Sequence, residues 1–377
     1  MTLDTIVLGL GAMGSATVDE LARRGQRVIG FDRHDPPHTL GSSHGRARII
    51  RMAYMEDPAY VPLLRRAYER WTDLQSASGR RLLQTTGGLM IGTSGSAAVE
   101  GSRASAVEHG LPHEMLGAAD IRRRFPAFHV PEDSLALYEE IAGVLFPETC
   151  IEVYLTRARE AGADLRMNST VECWEVDGDT VRVVVNGTEF TANQLVLTAG
   201  AWSPELLPDH APCMRVSREV MHWFEPAGGA EAFLPDRFPV YIWEPPDGDV
   251  FYGFPALDGL DGGVKVAIHH SGDHVTAADI DREVHPHDVE RMRACLRGRM
   301  PALDGDWIEG AVCMYTTTPD ENFLLGTHPA YPNVHMAAGL SGHGFKFASV
   351  IGEILADLVT TGSTAMPIAP FAPGRFS

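Results

Sequence analysis

The sequence predicts a mixed α/β and α+β protein, a Rossmann-like dinucleotide-binding domain interleaved with an antiparallel-sheet domain. Three observations carry this reading. A strand–glycine turn–helix–strand unit opens the chain, and a second strand runs into glycine near 195–202. A third strand, glycine-rich turn and helix close it. Between about 216 and 312 the pattern is different, with short strands broken by Pro and Gly. A simple dehydrogenase is expected to finish one contiguous dinucleotide domain before a separate catalytic one. Nucleotide-type units at both ends instead suggest an interleaved, two-domain flavoprotein. A length of 377 residues suits two domains.

The opening unit can be read residue by residue. Thr5-Ile6-Val7-Leu8 is an apolar, β-branched run of the kind found in buried parallel strands. Gly9-Leu10-Gly11-Ala12-Met13-Gly14 follows, then a stretch of helical spacing from Ala16 to Arg24 that Gly25 ends. Gly9, Gly11 and Gly14 let the backbone turn tightly and approach a pyrophosphate, while the helix N-terminus offers free N–H groups and partial positive charge. The second strand, Gln26 to Phe31, ends in Asp32, 18 residues past Gly14. An acid there accepts hydrogen bonds from a ribose. This unit alone leaves NAD and FAD both open.

Further along, Pro62 to Leu74 places Leu63, Ala67, Trp71 and Leu74 on one helical face. Leu89 to Gly92 and Ala136 to Tyr138 read as strands, and Glu152 to Ala161 as a helix ended by Gly162. Thr170 to Val176, Val181 to Val185 and Leu195 to Thr198 are strand-like, as are Val240 to Trp243 and Val250 to Gly253. Val334 to Ala338 is the last strand; Gly339 to Gly344 is a turn, and Phe347 to Val359 a helix.

Composition narrows the function. Hydrophobic residues at 44% and charged residues at 21% describe an ordinary globular chain. With 31 basic and 50 acidic residues the net charge is −19, a field that repels phosphate backbones and anionic membranes. The densest basic run, Arg122-Arg123-Arg124, sits among acids, so neither nucleic acid nor membrane is an expected partner. Cysteines 150, 173, 213, 295 and 313 include no C-x-x-C pair and form no disulfide framework. The start, Met1-Thr2-Leu3-Asp4, lacks the positive charge of a secretory signal. A soluble cytoplasmic protein is expected, which leaves the sequons at Asn168 and Asn186 as chance matches.

Three stretches, in register behind the nucleotide fingerprint, resemble the flavin-dependent amine oxidases that include the sarcosine and N-methyltryptophan oxidases. They are Asp35-Pro36-Pro37-His38 with Gly41-Ser42-Ser43-His44-Gly45 and Arg48-Ile49-Ile50-Arg51; Gly310 to Tyr315 with Pro319-Asp320-Glu321; and Ala338 to Phe347. The similarity spans almost the whole chain and is weakest around 95–135 and 216–240. It implies an FAD-binding domain from 1–82, 145–215 and 313–377, and a substrate domain from 83–144 and 216–312. It also implies FAD joined covalently to Cys313, a thiolate being the competent nucleophile for the flavin's 8α carbon. Ser42, Gly344 and Phe345 match cofactor-contacting positions.

The implied substrate is an amino acid with a secondary amine. Arg51 and Lys346 match the residues that hold its carboxylate, a fork and a point charge. Lys265 matches the oxygen-activating lysine, because electron transfer to O₂ first makes an anion that a preorganised ammonium stabilises. Alternation places Lys265, Ala267 and His269 on one strand face. His269 would orient substrate, Tyr252 and Tyr315 would line the pocket, and Arg48 and His44 match polar groups near the flavin. Glycines before the helix near Phe345 would set backbone N–H groups at the flavin's pyrimidine edge. Arg46-Ala47, Ile242, Trp243 and a small insertion between Tyr252 and Lys265 depart from the family pattern and leave the particular amine open.

Rival readings are weaker. Gly41-Ser42-Ser43-His44-Gly45 satisfies G-x-S-x-G but follows Asp35-Pro36-Pro37 rather than a strand. Histidines 269, 270, 274, 285 and 287 lack the spacing of a metal site, and no metal is expected. The expectation is an FAD-dependent oxidase of N-methyl amino acids such as sarcosine, taking hydride and reducing O₂ to H₂O₂. It would be a monomer whose partners are only an amino acid and O₂. The alternatives are an oxidase of pipecolate, N-methyltryptophan or a glycated amino acid, or a flavin dehydrogenase handing electrons to a partner protein.

Overall fold

The structure, a computed structural model, describes residues 3–270 and 272–376; the first two residues of the acidic start, Ser271 and Ser377 lie outside it. Two large sheets organise the chain. In the first, β1 (Leu3–Leu8) is central, with β2 (Val28–Phe31) parallel on one side and the strand Thr188–Leu197 parallel on the other. Parallel strands Asp164–Arg166 and Val334–Ala338 extend the two flanks. Strands from the beginning, middle and end of the chain therefore share one sheet, and the hairpin Val171–Asp177 and Thr180–Val185 joins it antiparallel. Along β1, Val7 faces the core under the helices while Ile6 and Leu8 face the opposite core, so both faces are buried.

Helix α1 (Ala12–Arg23) packs on this sheet beside the helices Pro147–Glu160 and Ala348–Thr361. Gly352 permits the second contact, since a Cβ there would lie 2.8 Å from Ala16.

The second sheet runs in the order 274–275, 215–225, 264–268, 251–253, 240–243, 88–93, 134–139, 114–117, with Asp306–Thr317 along the other edge of Arg215–Glu225. All its pairings are antiparallel except that of Val240–Trp243 with Gly88–Thr93. Its strands use period-two alternation to serve two purposes. Tyr241, Trp243, Phe251, Val264, Val266 and Ile268 pack into an apolar core with Met292 and Leu296 of the helix Pro286–Leu296. The intervening residues Ile242, Tyr252 and Ala267 face the opposite way. That helix, and the helix Ala97–Glu108, fall where the sequence pattern showed only strands or nothing periodic. Small residues such as Ala98, Ser102 and Ser105 form the buried side of Ala97–Glu108, leaving little hydropathy contrast to read.

Among the described residues no helix is long and apolar enough to cross a membrane.

Candidate active site

A cleft open to solvent at its mouth runs from the glycine turn after β1 to one face of the second sheet. At its first end Gly9, Gly11 and Asp32 line the wall. Gly9 has φ +90°, and a Cβ on Gly14 would lie 1.7 Å from the Gly9 carbonyl oxygen, so Gly14 serves turn–helix packing rather than the cleft surface. No side chain caps α1 and no acid stands in its first turn, which leaves its N–H groups and dipole for an anion. The Asp32 carboxylate, at the cleft wall, accepts from Leu10 N at 2.7 Å and His34 N at 2.8 Å. A glycine cradle, a bare helix N-terminus and an anchored acid fit a dinucleotide.

Midway, Ser42, Arg48 and Cys313 meet. Arg48 Nη2 donates to Ser42 O at 2.7 Å and lies 3.7 Å from Cys313 Sγ. Cys313 is 3% exposed and lines the cleft, with the Arg48 guanidinium beside it.

Register explains what shares the cleft wall. Ile242 pairs with Tyr252, Tyr252 with Ala267, Ala267 with Met221, and Met221 with Ala311, forming one row across five strands. Cys313 and Tyr315 follow Ala311 at two-residue steps, and Lys265 and His269 flank Ala267. Among the positions where this chain departs from the family pattern, Ile242 lines the cleft while Trp243 is turned into the apolar core.

At the far end the cations gather. Arg51 is 1% exposed, grips both oxygens of Glu56 with Nη2 at 2.7 and 2.6 Å, and stands 4.3 Å over the Tyr54 ring. Burial works against both charges, yet Arg51 holds the Glu56 carboxyl down to about 2. Lys346 Nζ donates to His343 O at 2.8 Å and Tyr54 Oη at 3.3 Å. Between these cations and Cys313 stand Tyr252, Tyr315 and His269, with Tyr315 Oη 3.5 Å from Tyr252 Oη and 3.4 Å from His269 Nδ1. Burial, reinforced by His270, pushes the His269 imidazole well below its usual pKa, so it is neutral. Gly344 and Phe345 line the wall beside Lys346, at a single 3₁₀ turn, Phe345–Phe347, before the helix Ala348–Thr361.

Two predicted residues lie behind the wall. Lys265 Nζ donates to Gly45 O at 2.7 Å and Ala47 O at 2.9 Å, between the Phe254 and Trp223 rings. Burial, then Arg48, pushes its pKa well below the ordinary lysine value, while the two carbonyls are acceptors for an ammonium. His44 is buried with Nε2 unpartnered, and burial and Arg48 lower its pKa to about 3.

Sequence reasoning did not single out Tyr54, Glu56, Glu148 or Glu219. Glu148 accepts from Gly45 N at 2.8 Å and Arg46 N at 3.0 Å, fixing the turn whose carbonyls hold Lys265. Glu219 pairs in register with Cys313 and lines the cleft as a buried acid. Glu148 had a local signal, an acid in the first turn of a Pro-initiated helix; Glu219 becomes visible only when distant strands are paired, and Tyr54 and Glu56 only when the irregular stretch after Arg51 folds back on it.

Residues 4–358 match the family described as FAD dependent oxidoreductase. The chain belongs to that family. As an amine-oxidising flavoenzyme it is 46% identical to a monomeric sarcosine oxidase of Streptomyces avermitilis, over 100% of this chain and 98% of the relative. It is 35% identical to an N-methyl-L-tryptophan oxidase of Salmonella dublin over the full length of both. The structure of NikD, an unusual amino acid oxidase, superimposes with a TM-score of 0.85 at 25% identity, covering 99% of this chain and 97% of that one. An L-proline dehydrogenase from P. horikoshii shares the fold, with a TM-score of 0.86 over 100% of this chain and 98% of that one at 21% identity.

Proposed function

We propose that this FAD-dependent oxidoreductase is an oxidase of N-methyl, secondary-amine amino acids such as sarcosine, with O₂ as acceptor and H₂O₂ as product. The carrying observation is the convergence of Arg51 and Lys346 with Tyr252, His269 and Tyr315 in a cleft that begins at the glycine fingerprint. Relatives named for sarcosine and N-methyltryptophan support the substrate class. In this reading the FAD-binding domain is 1–82, 145–215 and 313–377, and the substrate domain 83–144 and 216–312.

FAD, held by Gly9, Gly11, Asp32, Ser42, Cys313, Gly344 and Phe345, supplies the hydride acceptor and afterwards the electron donor to O₂. The chain's own residues do the rest. Arg51 and Lys346 bind the substrate carboxylate, which takes the place of Glu56 on the guanidinium fork. That exchange replaces one anion by another, so the buried guanidinium is never left uncompensated. Neutral His269 accepts from the substrate N–H and turns the N–CH bond toward the ring. Tyr252, Tyr315 and Ile242 exclude water around it. Arg48 and Lys265 put positive charge where reduced oxygen forms, and His44 backs that turn as a neutral group. The covalent bond to Cys313 rests on its burial in the cleft and on Arg48 beside it. The enzyme works in the cytoplasm as a monomer.

The test is to mix the purified yellow protein with sarcosine without air, then readmit O₂ and measure H₂O₂. Bleaching followed by one H₂O₂ per amine oxidised is expected; no bleaching with any N-methyl amino acid refutes the reading. Acid precipitation should leave the yellow colour on the polypeptide, and Cys313→Ala should release it into solution. Release from the unmodified protein would refute the covalent bond.

A further inference from the structure

Arg51 stands in a stretch that regular secondary structure does not hold. It follows the strand Arg48–Ile50 and precedes the 3₁₀ turn Pro58–Tyr60, and residues 51–57 form only bends. The N–H groups of Met52 and Ala53 find their acceptor elsewhere. Both donate to one carboxylate, Met52 N to Oε1 and Ala53 N to Oε2 of Glu139, each at 2.9 Å. Glu139 is 1% exposed and ends the strand Ser134–Glu139 of the second sheet. Ala53, so held, turns its carbonyl to Arg51, whose Nη1 donates to it at 3.0 Å. The next residue, Tyr54, supplies the ring under the guanidinium, and its carbonyl accepts from Ser105 Oγ at 2.5 Å.

We propose that Glu139 is the positioning residue that sets the direction of the Arg51 fork. It acts through two backbone N–H groups, not by touching substrate. The chemistry favours a carboxylate over an amide. Two successive N–H donors need two acceptor oxygens, and a buried carboxylate satisfied by them is charge-assisted on both sides. A glutamine presents one oxygen and one NH₂, so one backbone N–H would face another donor inside the core. The turn would then shift, and the fork with it.

The inference rests on the reading that Arg51 anchors the substrate carboxylate, so the experiment separates the two. Methoxyacetate, which has the shape of sarcosine but no oxidisable amine, is titrated into the holoenzyme and followed by the flavin absorbance. Glu139→Gln is expected to raise its Kd and the KM for sarcosine about tenfold, the loss of roughly one buried hydrogen bond. The limiting rate of flavin reduction, and kcat/KM for a secondary amine without a carboxylate, should stay within about twofold, since neither uses the fork. Glu139→Asp keeps charge and both acceptors on a shorter stem and should show a smaller loss in the same direction. It also serves if the glutamine variant does not fold. An unchanged Kd in the folded variants, or equal losses for amines with and without a carboxylate, overturns the positioning role. Arg51→Met is the control: if it leaves the methoxyacetate Kd unchanged, the anchor reading fails; if it weakens binding while Glu139→Gln does not, only the positioning role fails.

Discussion

Burial pushes the Lys346 ammonium down to about 7, with Arg51 adding to the shift and Glu56 opposing it. The group is charged below that pH and neutral above it, so affinity for a substrate carboxylate should fall as pH rises through about 7. A bound carboxylate favours the ammonium, so the break should lie higher in the complex than in the free enzyme. Titrating methoxyacetate between about pH 6 and 9 checks this, and a flat Kd profile would contradict it. Lys265 poses a different question, because burial lowers its pKa while two carbonyls stand ready for its charged form. If the ammonium assists O₂, reoxidation should slow with rising pH, starting below the ordinary lysine range. Lys265→Met should slow reoxidation by about 10²-fold or more and leave reduction by sarcosine near normal. Stopped-flow traces of the two halves decide it; equal slowing of both would remove the assigned role.

At the scale of elements, the first turn of the chain and the last helix depend on one another. α1 lies between the helices Pro147–Glu160 and Ala348–Thr361, and its start is set by the contact of Gly14 with the Gly9 carbonyl. Gly14→Val places branched carbon where even a Cβ stands 1.7 Å from that oxygen, so the turn must open. The expected result is protein that folds with little FAD, read as the ratio of flavin absorbance to protein absorbance after purification. Full flavin content would show that the turn does not hold the cofactor. The second sheet shows how a single alternation serves two ends. One face, with Phe251, Val264 and Val266, makes the core; the other carries Tyr252, Ala267 and Cys313 to the cleft, with Lys265 just behind it. A one-residue slip in any of these strands would exchange the two sets.

For the whole molecule, the exposed large apolar side chains Val107, Met115, Ile141 and Leu260 lie on separate segments, and Trp307 with Ile308 makes one small pair on the strand Asp306–Thr317. Together with a charge of −19, this fits a chain that stays apart from its copies. Sedimentation or light scattering should give a mass near 41.0 kDa; a stable dimer would contradict the expected monomer.

What the sequence determined alone was whatever has a local cause: the glycine turn with its helix and acid, the alternation that aligned Lys265 with His269, and the C-terminal turn. Glycine spacing and period-two patterning act over a few residues, so they are written in order along the chain. Tertiary structure alone decided the rest. Glu148 fixes the turn that holds Lys265, Glu139 grips the backbone after Arg51, and Glu219 comes into register beside Cys313. Each of these follows from strand register or loop closure between segments far apart in sequence, and a buried acid carries no local mark of which N–H or guanidinium it will meet.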